Sequence, residues 1–176
     1  MTPPTSRTWS PRGHTPVVHV RGRSRQHLSI AALTCFKPGQ RPRLIYRPAP
    51  APRPGGRKGF AWQDYRDLLI AARARLGGPI VLIWDNLNTH VCAQMKQFID
   101  DHAQLTVYQL PAYSPDLNPT EGIWSLLRRA LANIAFADLA HLEQAIRQRL
   151  RTIQRRPQLI DGCLIGTGLS INAEPP

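Results

Sequence analysis

Two segments decide the fold of this chain: residues 80–90 read IVLIWDNLNTH, and residues 105–129 read LTVYQLPAYSPDLNPTEGIWSLLRR. Each opens with a short apolar run, over residues 80–84 and 105–110, of a length that favours a strand. The unbroken apolarity of the first run is typical of a parallel strand covered on both faces. A helix from about residue 90 to 102, capped by Asn88 or Thr89, would connect the two strands as a right-handed crossover.

Two carboxylates follow these strands. Asp85 comes directly after the first, and Glu121 lies in the first turn of a helix that Asn118 and Pro119 open, with proline at the first helical position. The carboxyl ends of parallel strands share one edge of the sheet, where open α/β sheets bind ligands. In a basic chain this pair suits Mg²⁺, which prefers oxygen ligands and often combines one or two carboxylates with substrate phosphates. Metal-dependent cutting or joining of nucleic acid strands is one interpretation.

Purely structural interpretations of the same residues remain open. Glu121 stands three residues after Asn118, which is the spacing of a capping box. Asp85 could form an ordinary turn with the residue that follows it. His90 could be no more than a helix-start residue, and Asp116 no more than a turn residue.

The remaining elements predict an α/β domain with a mixed sheet. Apolar runs bounded by turn signals indicate a strand hairpin, helical periodicity indicates three further helices besides the crossover, and Gly77-Gly78 supplies a helix stop. The tail from residue 157 has no strong pattern and suggests a folded-back loop. The predicted ranges are strands at 28–36 and 43–47, a loop at 48–59, and helices at 63–76, 118–132 and 137–154.

Charge is distributed unevenly along the chain. The formal net charge is +12, and residues 1–63 contain twelve Lys or Arg but no Asp or Glu, whereas residues 64–176 contain eleven residues of each sign. Such a block indicates a polyanion partner, because neutralised phosphates release counterions. Arg21, Arg23 and Arg25 alternate, so an extended arm would present all three on one face as a DNA-binding strip. A solvated basic tail is the alternative.

Other classes of protein are disfavoured. The longest apolar run is too short to span a bilayer, and no signal-peptide pattern opens the chain, which predicts a cytoplasmic protein without a membrane partner. The three cysteines are widely spaced and odd in number, which argues against a disulfide framework and a paired-cysteine metal site.

The two central motifs, WDNLNTH and LPAYSPDLNPTEGIWSLLRR, leave 35 residues between Asp85 and Glu121. They closely resemble the C-terminal catalytic core of DDE transposases, in the insertion-sequence branch of the mariner-like superfamily. The upstream RTWSPRGHTPVVHVRGR and the TGL that begins at Thr167 resemble the same branch, so the likeness spans nearly the whole chain.

This resemblance implies an RNase H-like fold and three acidic residues that bind two Mg²⁺ or Mn²⁺ ions. The ions activate water for cleavage at transposon ends, and then the freed 3′ hydroxyl for transfer into target DNA. Asp85 corresponds to the second acid and Glu121 to the third. The residues that would shape and support the site are Asn86, His90, Ser114, Asp116 and Asn118.

The sequence departs from the family pattern at the first acid. In the family it lies on the first strand, before the RTW segment, but residues 1–63 contain no acid, and Asp64 and Asp67 fall in a later predicted helix. The first acid and the central strand would therefore precede Met1, as in a decayed or frameshifted element or a gene read from a misplaced start. The expected organisation is a basic lead-in at 1–27, an incomplete endonuclease core at 28–170 and a tail at 171–176.

Two hypotheses about function follow. The first is a transposase core fragment that is inactive alone, because two-metal chemistry lacks one of its three carboxylates. The second is a non-catalytic basic DNA-binding protein that inhibits full-length transposase. A homodimer or association with full-length transposase fits either hypothesis.

Overall fold

The structure, a computed structural model, describes residues 6–17, 28–49 and 59–171. Within these ranges it is mixed α/β, as the sequence predicts, with two strands in an antiparallel hairpin and two in a parallel pair. Arg21, Arg23, Arg25 and most of the loop predicted at 48–59 lie outside the described residues. No helix among the described residues is long and apolar enough to cross a membrane.

The predicted hairpin is present. Strand β1 (Ile30–Cys35) pairs antiparallel with β2 (Arg43–Pro48), with Ile30 opposite Pro48 and Cys35 opposite Arg43. The adjacent residues Leu44 and Ile45 point to opposite faces of this sheet, because side chains alternate along a strand. Both are almost fully buried, in two different core clusters. The hairpin is therefore covered on both faces.

Helix α1 (Trp62–Leu76) begins one residue before its predicted start and ends where predicted. Gly77 takes the left-handed conformation with φ 61°, and its N–H donates to the carbonyl of Arg73. Glycine accepts this conformation without a Cβ penalty, so it stops the helix. The buried residues Leu68, Leu69 and Ala72 pack this helix against the core.

Strands β3 (Ile80–Trp84) and β4 (Leu105–Gln109) form the predicted parallel pair, in a register that places Trp84 beside Gln109. Coverage of β3 on both faces, however, is wrong for the described residues. Leu82 and Trp84 are buried, whereas Val81 is 65% exposed and Ile83 is 56% exposed. The pattern failed because apolarity shows that a strand can be buried, while the neighbouring elements decide whether it is. No described strand joins this pair to the hairpin, so each forms a two-stranded sheet.

The single crossover helix predicted from about residue 90 to 102 is wrong. The segment forms α2 (Asn88–Val91) and α3 (Ala93–Asp100), interrupted at Cys92, whose backbone is extended with φ −66° and ψ 155°. The first cap also differs, since Leu87 precedes α2 and neither Asn88 nor Thr89 is its cap. The N–H of Leu87 donates to the Asp85 carboxylate at 3.2 Å, which starts the turn earlier than sequence spacing suggests.

Three helices complete the fold: α4 (Pro119–Ala130), α5 (Leu139–Gln154) and α6 (Pro157–Ile165). The first two were predicted, but the folded-back loop expected after residue 157 is wrong, because α6 occupies it. Ile160 and Leu164 in α6 are buried with residues of α4 and α5. Tertiary packing here outweighs the low helix propensity of Gly162. The α4–α6 contact is close, since a Cβ on Gly122 would lie 2.7 Å from the Sγ of Cys163.

Candidate metal centre

Asp85 lies at the carboxyl end of β3 with its side chain 59% exposed. Its Oδ1 accepts a hydrogen bond from the Leu87 N–H at 3.2 Å and lies 2.9 Å from the Nδ1 of His90. The turn role that the sequence left open is therefore real, but it engages one carboxylate oxygen. Nothing among the described residues hydrogen-bonds to Oδ2, so that oxygen can bind a cation.

His90 is held inside the protein next to Asp85. Its ring stacks on Trp84, with 4.1 Å between centroids and 3° between planes, and meets the ring of Tyr65 edge-on at 4.5 Å. Burial lowers the pKa of His90, although the neighbouring Asp85 opposes this shift. Because a carboxylate oxygen can only accept, the Nδ1 of His90 donates to Asp85, and the residue does more than start a helix.

Asn86 ties the Asp85 turn to the neighbouring strand. Its Nδ2 donates to the carbonyl of Leu110 at 2.9 Å, and the Leu110 N–H donates to the carbonyl of Trp84 at 2.8 Å. These two bonds bring the chain leaving β3 beside the chain leaving β4. Asn86 thus holds the two strand ends together, while its role in supporting a metal site stays a prediction.

Glu121 occupies the first turn of α4, and its side chain is half-buried. Asn118 caps this helix by accepting a hydrogen bond from the Thr120 N–H at 3.0 Å. The reciprocal bond of a capping box is not seen, because no described group pairs with the Glu121 carboxylate. The positive end of the helix dipole favours a negative charge at this position.

The helix that carries Glu121 is also fixed to the hairpin. The hydroxyls of Thr120 and Thr34 lie 3.2 Å apart, which connects the start of α4 to β1. Glu121 is therefore positioned by β1 and by the loop from β4, whereas Asp85 is positioned by β3. No hydrogen bond or ion pair among the described residues joins the two carboxylates directly.

The loop between β4 and α4 contains the remaining predicted residues. A 3₁₀ turn spans Pro115–Leu117, Asp116 is exposed within it, and the Ser114 hydroxyl donates to the carbonyl of Ala112 at 3.4 Å. No hydrogen bond or ion pair among the described residues joins Ser114 or Asp116 to Asp85 or Glu121.

The described residues contain no cluster of three His, Cys, Asp or Glu side chains able to hold a metal ion. Asp64 and Asp67 are engaged elsewhere, as their position in α1 predicts. Asp64 accepts a hydrogen bond from the Ala61 N–H at 2.8 Å, and Asp67 pairs with Arg66 and Arg47.

Sequence reasoning missed the two rings that hold His90. Trp84 directly precedes Asp85, so its proximity could have been inferred from the sequence. Tyr65 comes from α1, twenty residues before Asp85, and nothing in the sequence signals that it contacts His90.

A family model described as DDE superfamily endonuclease matches residues 60–143, which include Asp85 and Glu121. No curated protein matches the chain.

Several solved structures share the fold. The Mos1 transposase paired-end complex with the left transposon end matches 94% of this chain and 51% of its own, at 16% identity and a TM-score of 0.59. The Mos1 mariner paired-end complex with Mn matches 97% of this chain and 53% of its own, at 16% identity and a TM-score of 0.58. At this identity the likeness establishes a common RNase H-like fold. The chain spans about half the length of these transposase chains.

Proposed function

We propose that this chain, whose residues 60–143 match the DDE superfamily endonuclease model, is the core of a transposase that acts on DNA by metal-dependent strand cleavage and transfer. One observation carries the proposal. Asp85 directly follows the parallel strand β3, Glu121 lies in the first turn of the helix after β4, and each keeps at least one oxygen without a hydrogen-bond partner among the described residues.

The proposed metal ligands are Asp85 and Glu121. The donor set suits Mg²⁺ or Mn²⁺, because both groups are oxygen ligands and the exposure of Asp85 leaves room for water and phosphate. When bound, such ions activate the attacking oxygen and stabilise the leaving oxygen of an in-line phosphoryl displacement. The protein's own part is to hold the ligands: His90 and Leu87 orient the Asp85 carboxylate, and Asn118 starts the helix that presents Glu121.

Metal binding can be tested without catalysis. Titration of the 176-residue chain with Mn²⁺ should show binding that Asp85→Asn and Glu121→Gln each weaken. Asp100→Asn is a matched control, since it removes an exposed carboxylate at the end of α3 and should leave the affinity unchanged. Equal Mn²⁺ affinity in all four proteins would refute the assignment.

We propose further that these 176 residues do not cleave DNA by themselves. Their two motif carboxylates are one short of the three that a DDE site uses. Residues 1–63 supply no acid, and among the described residues no third side chain joins Asp85 and Glu121 in a cluster able to hold a metal ion. Mg²⁺-dependent cleavage of transposon-end DNA by this chain, abolished by Asp85→Ala, would overturn this inactivity.

DNA is the proposed partner, through transposon ends and target. The charge of +12 supports this, since the whole excess comes from residues 1–63. Arg21, Arg23 and Arg25 are the proposed phosphate contacts. Replacing all three by Gln should weaken DNA binding and reduce the slope of log affinity against log salt. The matched control replaces Arg149, Arg151 and Arg155, which are exposed on α5 and at its C-terminal cap, and an equal loss there would show that only total charge matters.

A second candidate is a non-catalytic DNA-binding protein that inhibits full-length transposase, alone or by associating with it. This candidate is favoured because the chain has two motif carboxylates and not the three that a DDE site uses. This role predicts salt-sensitive DNA binding that needs no Mg²⁺ and survives Asp85→Ala. DNA binding that is lost on adding a chelator would exclude it.

A further inference from the structure

Tyr113 lies on the loop between β4 and Glu121, in a conformation that a bulky residue rarely adopts. Its φ is 58°, in the left-handed region where a side chain crowds the following carbonyl. Its side chain is also fully exposed, with a relative accessibility of 103%. Among the described residues, no hydrogen bond or ring contact involves it. The backbone is therefore strained to hold a side chain that contributes no packing.

The other non-glycine residue with a positive φ in the described ranges shows what an explained case looks like. Asn133, with φ 60°, belongs to a residue type that tolerates this region. Its side-chain oxygen accepts from the Ser6 N–H at 3.0 Å, and its amide donates to the Ser6 carbonyl at 2.9 Å. The positive φ of Asn133 thus accompanies two hydrogen bonds within the fold, whereas that of Tyr113 accompanies none among the described residues.

The loop around Tyr113 is well anchored. Leu110, three residues earlier, is bonded to Trp84 and Asn86, so the Tyr113 Cα lies within about 11 Å of the Leu110 Cα by the reach of the chain. After Tyr113, the Leu117 N–H donates to the Ser114 carbonyl and the Asn118 N–H to the Pro115 carbonyl. The ring is thus presented from a fixed support, in the stretch of chain that connects the two carboxylate positions.

On the premise of the proposed function, we propose that Tyr113 is a positioning residue for DNA, whose ring stacks on an unpaired base next to the phosphate held at Asp85 and Glu121. A fixed, exposed ring on the loop that leads from β4 to Glu121 suits a ligand with both an anionic backbone and flat apolar faces. Stacking on aromatic side chains is a main source of affinity for unpaired bases. Left-handed strain at an exposed position is typical of residues kept for a ligand.

The test compares two DNA probes, a blunt duplex and the same duplex with a single-stranded tail that carries 2-aminopurine. The 176-residue chain should prefer the tailed probe and quench its fluorescence by stacking. Tyr113→Ala should lose this preference, by about 5-fold to 100-fold in affinity for the tailed probe, and keep its affinity for the blunt duplex. Tyr113→Phe should retain both the preference and the quenching.

Two further variants make the outcome unambiguous. Tyr113→Gly should bind the two probes as Tyr113→Ala does. Its melting temperature should be no lower than that of the unmodified chain, because glycine relieves the strain at φ 58°. Tyr108→Ala removes a 60% exposed tyrosine from β4 and should leave the tail preference intact.

Specific results would overturn the inference. An unchanged tail preference in Tyr113→Ala would show that Tyr113 stacks on no unpaired base. An equal loss of affinity for both probes would show that Tyr113 contacts duplex DNA or a second protein copy instead. Failure of the unmodified chain to bind either probe would refute the proposed function itself, which separates the two claims.

Discussion

At the scale of single residues, His90 shows how the candidate site is held. Its ring is clamped between Trp84 and Tyr65, and its Nδ1 lies 2.9 Å from the Asp85 carboxylate. Because the ring is buried between two other rings, it holds the Oδ1 of the carboxylate in place through this hydrogen bond. Asp85 is thus oriented before any ligand arrives.

Replacing His90 by alanine should therefore weaken metal binding without removing a ligand. We expect Mn²⁺ affinity to fall about 10-fold to 100-fold, as for other hydrogen-bond partners of metal ligands. We also expect the free energy of unfolding to fall by about 1–3 kcal/mol, because a buried hydrogen-bonded group is lost. Calorimetric titration and denaturant unfolding measure the two effects. His141→Ala, at the exposed start of α5, is the control, and unchanged Mn²⁺ affinity in His90→Ala would contradict the role.

At the scale of elements, α4 and α6 pack closely because a glycine in α4 leaves room for a side chain of α6. Gly122 in α4 faces Cys163 in α6 so closely that a methyl group at Gly122 would overlap the cysteine side chain. Gly162, next to Cys163, has nothing within 4 Å of its own Cβ position. Substitution by alanine should therefore have opposite effects on stability at these two positions.

Gly122→Ala should lower the free energy of unfolding by about 1–3 kcal/mol, because α6 must shift to admit the methyl group. Gly162→Ala should raise it by up to about 1 kcal/mol, since alanine has the higher helix propensity. Thermal or denaturant unfolding of both variants is the measurement. If Gly122→Ala were as stable as Gly162→Ala, the close α4–α6 contact would not exist in solution.

A second contact between elements links the hairpin to α1 through charge. Asp67 pairs with Arg66 at 2.7 Å and with Arg47 at 3.4 Å, and the hydrogen bond from Arg66 is the main cause that lowers the pKa of Asp67. A lowered pKa stabilises the folded state above the ordinary value of 3.8. This contribution is lost as the pH falls through the lower folded value.

Asp67→Asn should therefore reduce stability near neutral pH, by no more than about 1 kcal/mol because the pair is partly exposed. It should also flatten the loss of stability on acidification below pH 3.8. Unfolding curves across the acidic range test this. In Asp100→Asn, which leaves the Asp67 pair intact, this part of the acid-induced loss should persist. A steeper loss of stability on acidification in Asp67→Asn would contradict the prediction.

At the scale of the whole molecule, the parallel pair β3–β4 has one apolar face without cover among the described residues. Val81, Ile83 and Tyr108 are 65%, 56% and 60% exposed, and the register pairs Ile83 with Tyr108. Exposed apolar strands next to unpaired sheet edges favour association between chains. We therefore expect this face to promote aggregation rather than loss of fold.

Ile83→Thr should reduce light scattering of the concentrated protein while leaving its unfolding midpoint nearly unchanged, since threonine retains strand propensity. Leu82→Thr tests the opposite face, where the side chain is 6% exposed, and should clearly destabilise the fold. Persistent aggregation of Ile83→Thr would mean that another surface drives association.

The local elements could be predicted because their signals are local. The strand at Ile80–Trp84, the stop at Gly77 and the cap at Asn118 each depend on neighbouring residues. The motifs that contain Asp85 and Glu121 likewise identified the family segment. The sequence alone therefore determined the types of most elements and the segment that matches the DDE superfamily endonuclease model, and it named the two carboxylates proposed as ligands.

Only the tertiary structure decided how these parts are used. The break at Cys92, the helix after Arg156 and the exposed face of β3 depend on contacts between distant segments, which local propensity does not encode. The structure also distinguished a capping glutamate from an unpartnered one, because spacing gives the position of Glu121 along the helix but not what its carboxylate meets. The strain at Tyr113 has the same origin, since the anchored loop, and not its residue type, determines the backbone angle.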